Sequence, residues 1–132
     1  MEENKNIIIV DKDQTHRELL EGYVKTMGFN SVLFETSSEA LEYIEENKPL
    51  LIISEIMLER KDSGFYLCYS VKKKYPDVPI IIVSSISNKT GIRFGLNTKE
   101  EKEWIKADVF LDKNIRFEQL QRSINQVFKN RS

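Results

Sequence analysis

This sequence of 132 residues contains little cysteine, no long apolar run and no excess of one charge. Its single cysteine cannot form a disulfide within the chain, which favours a reducing compartment. The apolar runs are far too short for a membrane-spanning helix, and the N-terminus lacks the pattern of a secretion signal. The formal net charge of −1 gives no electrostatic footprint for nucleic acid or an anionic membrane. We therefore expect a cytoplasmic domain without a nucleic-acid or membrane partner.

Short apolar runs rich in β-branched residues alternate with segments that carry a helical period. The runs that predict strands are Ile7–Val10, Val32–Phe34, Leu50–Ser54, Ile80–Val83 and Val109–Asp112. Strands in alternation with helices are typical of a parallel sheet with right-handed crossovers, and nearly all-apolar strands are typical of a sheet covered on both faces. The prediction is an α/β fold in one domain, 1–132, with a five-stranded parallel sheet doubly wound by five helices.

Local signals mark the helix ends. Asp13 is a predicted N-cap, Gly28 a predicted left-handed C-cap, and Thr36 with Glu39 a capping box. The residues that carry the helical period in the first helix are Leu19, Leu20, Tyr23, Val24 and Met27. A short fourth helix with Trp104 is expected after a stretch, 85–97, that has no clear period and is long for a loop.

Polar and charged side chains follow four of the predicted strands. Asp11, Lys12 and Asp13 follow the first strand, Glu55 the third, Ser84 the fourth and Lys113 the fifth. The carboxyl ends of parallel strands lie along one edge of a sheet, where ligands bind at a topological switch point. The sequence therefore predicts a site at this edge.

These strand-end groups, with Ile56-Met57-Leu58 after the central acid and Gly64 opening the third helix, resemble a response-regulator receiver domain from about Ile7 to Phe128. The resemblance implies a flavodoxin-like fold and a role in two-component or phosphorelay signal transduction. In that family an aspartate accepts a phosphoryl group from a sensor histidine kinase, an acid pair holds Mg²⁺, and a hydroxyl and a lysine contact the phosphoryl oxygens.

The resemblance also assigns roles to single residues. Glu55 takes the phosphoacceptor position, Asp11, Lys12 and Asp13 the acid pocket, Ser84 and Lys113 the phosphoryl-contact positions, and Phe110 the position of the switch aromatic. Metal ligands, if Mg²⁺ binds, would be Asp11, Glu55 and the backbone of Met57.

Lys12 departs from the family pattern, which has an acid in contact with the metal at this position. An ammonium opposes Mg²⁺: two unit charges about 4 Å apart interact by roughly 4 kcal/mol at an effective dielectric near 20, and a dication doubles that. Asp11, Lys12, Glu55 and Lys113 sum to zero charge. We therefore expect no cofactor, with any Mg²⁺ binding weak, and we expect Lys12→Asp to create metal binding.

Glu55 and Asn114 are the other departures. Glutamate moves the carboxylate outward by about 1 Å, and a misplacement on that scale can cost on the order of 100-fold in a reaction that depends on positioning. We expect an atypical receiver that does not use phosphorylation, in which Lys12 and Lys113 hold Glu55 in an ion-pair cluster. Asn114 replaces the usual proline, so a trans peptide bond is expected after Lys113.

The expected function is that of a stand-alone signalling module, not an enzyme. Its expected partner is a sensor histidine kinase or a downstream protein, bound through the fourth predicted helix, the fifth strand, the fifth helix and loop 85–97, and a homodimer is an alternative. Two other interpretations stay open: an Mg²⁺-dependent phosphotransfer receiver phosphorylated at Glu55, and a small flavodoxin-like ligand-binding domain or enzyme. The lack of a glycine-rich phosphate loop argues against the last.

Two further residues could be mistaken for reactive groups. His16, the only histidine, is expected to be an exposed residue at the start of the first helix. Cys68 falls on the buried face of the third helix and is expected to be a small core residue.

Overall fold

A computed structural model describes residues 6–56, 58, 63–84 and 107–131. Its strands are β1 (Asn6–Val10), β2 (Asn30–Phe34), β3 (Leu51–Ser54), β4 (Ile80–Ser84) and β5 (Val109–Asp112). They form one sheet in the order β2-β1-β3-β4-β5, and every neighbouring pair is parallel. The predicted five-stranded parallel sheet is confirmed. Its order reverses between β1 and β3, which is the topological switch point of such a sheet.

Four helices lie within the described residues. They are α1 (Gln14–Thr26), α2 (Ser37–Glu46), α3 (Ser63–Lys74) and α4 (Phe117–Arg131). The last of these corresponds to the fifth predicted helix. The predicted helix around Trp104 and the loop 85–97 lie outside the described residues. No helix in the described part of the chain is long and apolar enough to cross a membrane.

The sheet is covered on both faces, as the nearly all-apolar strands predicted. On one face, α2 and α3 pack through residues such as Ile44 and Val71 against alternate strand residues such as Ile8 and Ile52. On the other face, α1 and α4 pack against the intervening strand residues, such as Ile9 and Ile53. Since successive strand residues point to opposite faces, each strand needs apolar side chains at nearly every position.

Local capping explains where α1 begins and ends. The side chain of Asp13 accepts hydrogen bonds from the backbone N–H groups of Thr15 and His16, at 3.0 and 3.3 Å. Gly28 follows the helix with φ of 94°, a left-handed conformation in which a glycine has no Cβ to clash. Both predictions are confirmed. Of the five residues that carry the helical period, Leu19 lies outside the core, because it is 42% exposed.

Candidate functional site

The register of the sheet brings the predicted site residues to one edge. Val10 is aligned with Ser54, and Ser84 with Asp112. The backbone N–H of Glu55 donates to the carbonyl of Val10, and that of Lys113 to the carbonyl of Ser84, both at 3.0 Å. The backbone hydrogen bonding between parallel strands thus continues one residue beyond the strand ends. It fixes the backbone positions of Glu55 and Lys113.

One ammonium lies among three carboxylates at this edge. Lys113 Nζ is 3.6 Å from Glu55 Oε1, 3.9 Å from Asp11 Oδ1 and 3.9 Å from Asp13 Oδ2. Asp11 and Glu55 are buried, whereas Asp13 lies at the exposed rim. We refer to Asp11, Asp13, Glu55 and Lys113 as the strand-end pocket. Its arrangement places both buried acids within reach of one cation.

Asp11 uses both carboxylate oxygens inside the chain. Oδ1 accepts a hydrogen bond from the backbone N–H of Asp13 at 2.9 Å, and Oδ2 contacts His16 Nδ1. Burial raises the pKa of the Asp11 carboxyl, but the hydrogen bonds from His16 and Asp13 and the charge of Lys113 outweigh it, so the pKa lies below its ordinary value of 3.8. Asp11 is therefore an ionised carboxylate with a partner at each oxygen.

His16 belongs to this site, and the expectation that it is exposed is wrong. It is only 7% exposed. Besides the contact of Nδ1 with Asp11, its Nε2 lies 3.2 Å from the backbone carbonyl oxygen of Lys113. One imidazole ring therefore connects the residue after β1 with the residue after β5, through the first turn of α1.

A sequence signal for the burial of His16 does exist. The buried residues of α1 are His16, Leu20 and Val24, a stripe with a spacing of four residues. Residues four apart lie on the same helix face. Extending the stripe of Leu20 and Val24 back by one turn would have placed His16 on the buried face.

The carboxylate of Glu55 is folded back onto its own backbone. It is 4% exposed, and Oε2 accepts a hydrogen bond from the backbone N–H of Ile56 at 2.7 Å. Gly64, at the start of α3, supports this loop: its N–H donates to the carbonyl of Ile56 at 2.7 Å. A Cβ at Gly64 would lie 2.4 Å from the carbonyl oxygen of Glu55, so only glycine allows this approach.

Lys12 is not brought to Glu55. The residue is exposed, and within the described part of the chain it forms no ion pair with Glu55, contrary to the predicted cluster. Lys12 lies in a bend just after the end of β1. Asp11 points into the pocket and Lys12 away from it.

The remaining predicted residues are placed as follows. Ser84 is buried at the end of β4, and Phe110, in β5, packs partly buried against the core that includes α2 and α3. The Lys113–Asn114 peptide bond is trans, as expected, since the described residues contain no cis bond. Met57 lies outside the described residues, so its predicted backbone role has no structural description.

Two solved structures resemble this fold closely. The response regulator receiver domain protein (CheY-like) from Methanospirillum hungatei JF-1 has a TM-score of 0.78 at 20% identity, with 98% of this chain and 97% of that chain covered. The beryllofluoride-activated NtrC4 receiver domain dimer has a TM-score of 0.80 at 19% identity, with 96% and 98% covered. At such identities the likeness establishes the fold.

Sequence relatives point the same way. A putative response regulator, NtrX-like, from Rickettsia felis is 31% identical over 80 residues, which are 60% of this chain and 17% of the relative. The response regulator MprA from Mycobacterium sp. (strain KMS) is 27% identical over 114 residues, 86% of this chain and 46% of the relative. The chain thus spans less than half of either protein. The family model described as the response regulator receiver domain matches residues 7–125. This chain belongs to the response regulator receiver family.

Proposed function

We propose that this receiver domain signals through contacts with another protein and does not accept a phosphoryl group on Glu55. Receiver domains are signalling modules of two-component systems, and the family match favours this interpretation over a flavodoxin-like enzyme or ligand-binding domain. The observation that carries the proposal is the state of the Glu55 carboxylate. One oxygen accepts the N–H of Ile56, and the other faces the ammonium of Lys113.

This state opposes attack on phosphorus. A carboxylate nucleophile must present an oxygen in line with the phosphoryl group that it receives, and positioning dominates the rate of such reactions. Glu55 is buried and held at both oxygens, so presenting one of them requires the loss of a hydrogen bond or of the contact with Lys113. Glu55 then acts as a fixed anion that positions Lys113.

The donor set also argues against Mg²⁺, the ion that the family uses. Mg²⁺ requires near-octahedral oxygen coordination at about 2.0–2.1 Å. Here Asp11 has donors at both oxygens, and Lys12 stands in place of the second acid. In the part of the chain that the structure describes, no three His, Cys, Asp or Glu residues are grouped so as to hold a metal. We therefore propose a pocket whose two buried carboxylates are held by donors of the protein itself.

The partner that we propose is a sensor histidine kinase or a downstream protein, with a second copy of the chain as the alternative. The proposed contact surface consists of β5, α4 (the fifth predicted helix), the predicted helix around Trp104 and the loop 85–97. The last two lie outside the described residues. The NtrC4 neighbour is a receiver domain dimer, which supports self-association as one form of output. Sedimentation of this chain over a range of concentrations tests the homodimer directly.

Treatment with a phosphoryl donor tests the proposal on Glu55. The chain is incubated with acetyl phosphate and Mg²⁺, and its mass is measured intact. We expect no phosphoryl adduct on the wild-type chain. An adduct that is lost in Glu55→Gln but kept in Glu45→Gln, a matched change at an exposed glutamate of α2, would establish the phosphotransfer alternative instead.

A parallel measurement follows the backbone amides by NMR during addition of Mg²⁺ and then beryllofluoride, a phosphoryl mimic. We expect only the general shifts that NaCl of equal ionic strength also produces. Shifts centred on Asp11, Glu55 and Ser84 that extend to α4 would mean that the pocket takes up the mimic and that the proposal is wrong.

A further inference from the structure

His16 makes two contacts that place it between two acceptors. Nδ1 meets the Oδ2 of Asp11, and Nε2 meets the carbonyl oxygen of Lys113. An ionised carboxylate and a backbone carbonyl can only accept hydrogen bonds. The ring therefore lies against an acceptor on each side, and one side of the Asp11 carboxylate is occupied by it.

Two basic side chains lie against the two buried acids. His16 contacts Asp11, and Lys113 Nζ lies within 3.9 Å of a carboxylate oxygen of both Asp11 and Glu55. A buried carboxylate is stable only when it is paired or hydrogen-bonded. In a pocket that binds a divalent cation, the metal supplies the positive charge that compensates the buried carboxylates. Here the chain supplies partners for both acids from α1 and from the residue after β5.

Lys12 is not the source of this compensation. It is exposed, and in the described part of the chain it makes no ion pair with either buried acid. The oxygen of Asp11 that faces the ring of His16 is thus occupied regardless of the residue at position 12. Restoring an acid at that position would leave Asp11 without a free oxygen on this side.

We propose that His16 is the residue that bars a divalent cation from the strand-end pocket. Its ring lies against the Asp11 oxygen that a metal would coordinate, so a metal there would have to displace the ring. The inference rests on the proposed function and deepens it, since it names the group that keeps the pocket closed. His16 acts through Asp11 and is a positioning residue, one that also ties the start of α1 to Lys113, the residue after β5.

The test compares Mg²⁺ binding by four chains: wild type, Lys12→Asp, His16→Leu and the double variant. Binding is measured from amide shifts at Asp11, Glu55 and Ser84 against an equal ionic strength of NaCl. The sequence alone predicted metal binding by Lys12→Asp, but because Lys12 is exposed we expect no saturable response from the wild type or from Lys12→Asp. We expect a saturable response from the double variant. Gln14→Leu, at an exposed position on the same turn of α1, should behave as its parent chain.

The outcomes separate this inference from the proposed function. Metal binding by Lys12→Asp alone, as tight as in the double variant, would mean that Lys12 is the barrier and His16 is not. A double variant that stays folded and binds no metal would also overturn the role of His16. A response of the wild-type chain to Mg²⁺ with beryllofluoride would instead overturn the proposed function.

A measurement on the wild-type chain covers the case in which His16→Leu fails to fold. The long-range ¹H–¹⁵N spectrum of the single histidine reports whether each ring nitrogen carries a proton. We expect Nδ1, which faces Asp11, to carry a proton that exchanges slowly with water. A bare Nδ1, or an Nδ1 proton in fast exchange, would mean that His16 does not hold the Asp11 carboxylate.

Discussion

At the scale of single residues, burial decides what a reactive group can do. Cys68 is fully buried among apolar side chains of α3 and the sheet, and burial raises the pKa of its thiol to about 12 from an ordinary value of 9.0. The thiolate is the reactive form of cysteine. The prediction that Cys68 is a core residue is confirmed, and its chemistry follows from its position.

Cys68 should resist alkylation in the folded chain. A pKa about three units higher lowers the thiolate fraction near neutral pH by about 1,000-fold, before access is considered. We expect iodoacetamide to label Cys68 only through unfolding, at least 100-fold more slowly than it labels Ser38→Cys placed in a Cys68→Ala chain, since position 38 is exposed. Equal rates, measured by intact mass, would contradict the buried thiol.

Because the unfolded thiol of Cys68 ionises near pH 9 and the buried one near 12, the ionisation of this thiol lowers the stability of the fold as pH rises from 9 to 12.

At the scale of elements, local signals predicted the ends of helices better than their rotation. Asp13 and Gly28 act on backbone groups within a few residues, so their roles can be read without knowledge of the fold. The rotation of α1 about its axis is set by packing against the sheet. Packing buries His16 and exposes Leu19, and only the burial of His16 continues the four-residue spacing of Leu20 and Val24.

The junction between β3 and α3 depends on one glycine. A Cβ at Gly64 would lie 2.4 Å from the carbonyl oxygen of Glu55 and 2.5 Å from the Cα of Ile56, and both are backbone atoms. We expect Gly64→Ala to lower the free energy of unfolding by about 1–3 kcal/mol, because the loop that carries Glu55 must shift. Denaturant unfolding measures the change.

Gly22→Ala is the matched control for Gly64→Ala. Position 22 lies within α1, and a Cβ there meets no atom within 4 Å. Alanine should raise stability by roughly 0.5–1 kcal/mol, since glycine in a helix interior is unfavourable by that amount. If Gly64→Ala and Gly22→Ala change the free energy of unfolding in the same direction, then the close approach of Gly64 to the Glu55 loop does not exclude a side chain at position 64.

At the scale of the whole molecule, one sheet separates two apolar cores and carries the charged pocket at its carboxyl edge. The apolar strands and the alternation with helices were sufficient to predict this architecture, because a doubly covered parallel sheet requires both. The pocket was predicted less completely. Which side chains follow the strands could be read from the sequence, but which of them point inward could not. The contact of His16 with the carbonyl of Lys113 joins residues 97 positions apart, so no local pattern could have indicated it.

The two cores share the central strands, so they should unfold together. Residues of β1, β3 and β4 are buried on both faces, whereas those of the edge strands β2 and β5 are mostly half-buried. Amides that exchange only on global unfolding are found in the most buried elements. We expect the slowest hydrogen exchange in β1, β3 and β4, and faster exchange in β2 and β5.

Ile52→Val and Ile53→Val test this cooperation, because these neighbours in β3 belong to opposite cores. Each loses one buried methylene group, at a cost of about 0.5–1.5 kcal/mol. If the molecule unfolds as one unit, each variant reduces the protection of all the slow amides in β1, β3 and β4 by the same free energy. Exchange in which Ile52→Val affects only the α2 and α3 side and Ile53→Val only the α1 and α4 side would mean that the cores open separately. The sheet would then be a boundary between two cooperative units, and the strand-end pocket, built from residues after three of its strands, would open with whichever core is weaker.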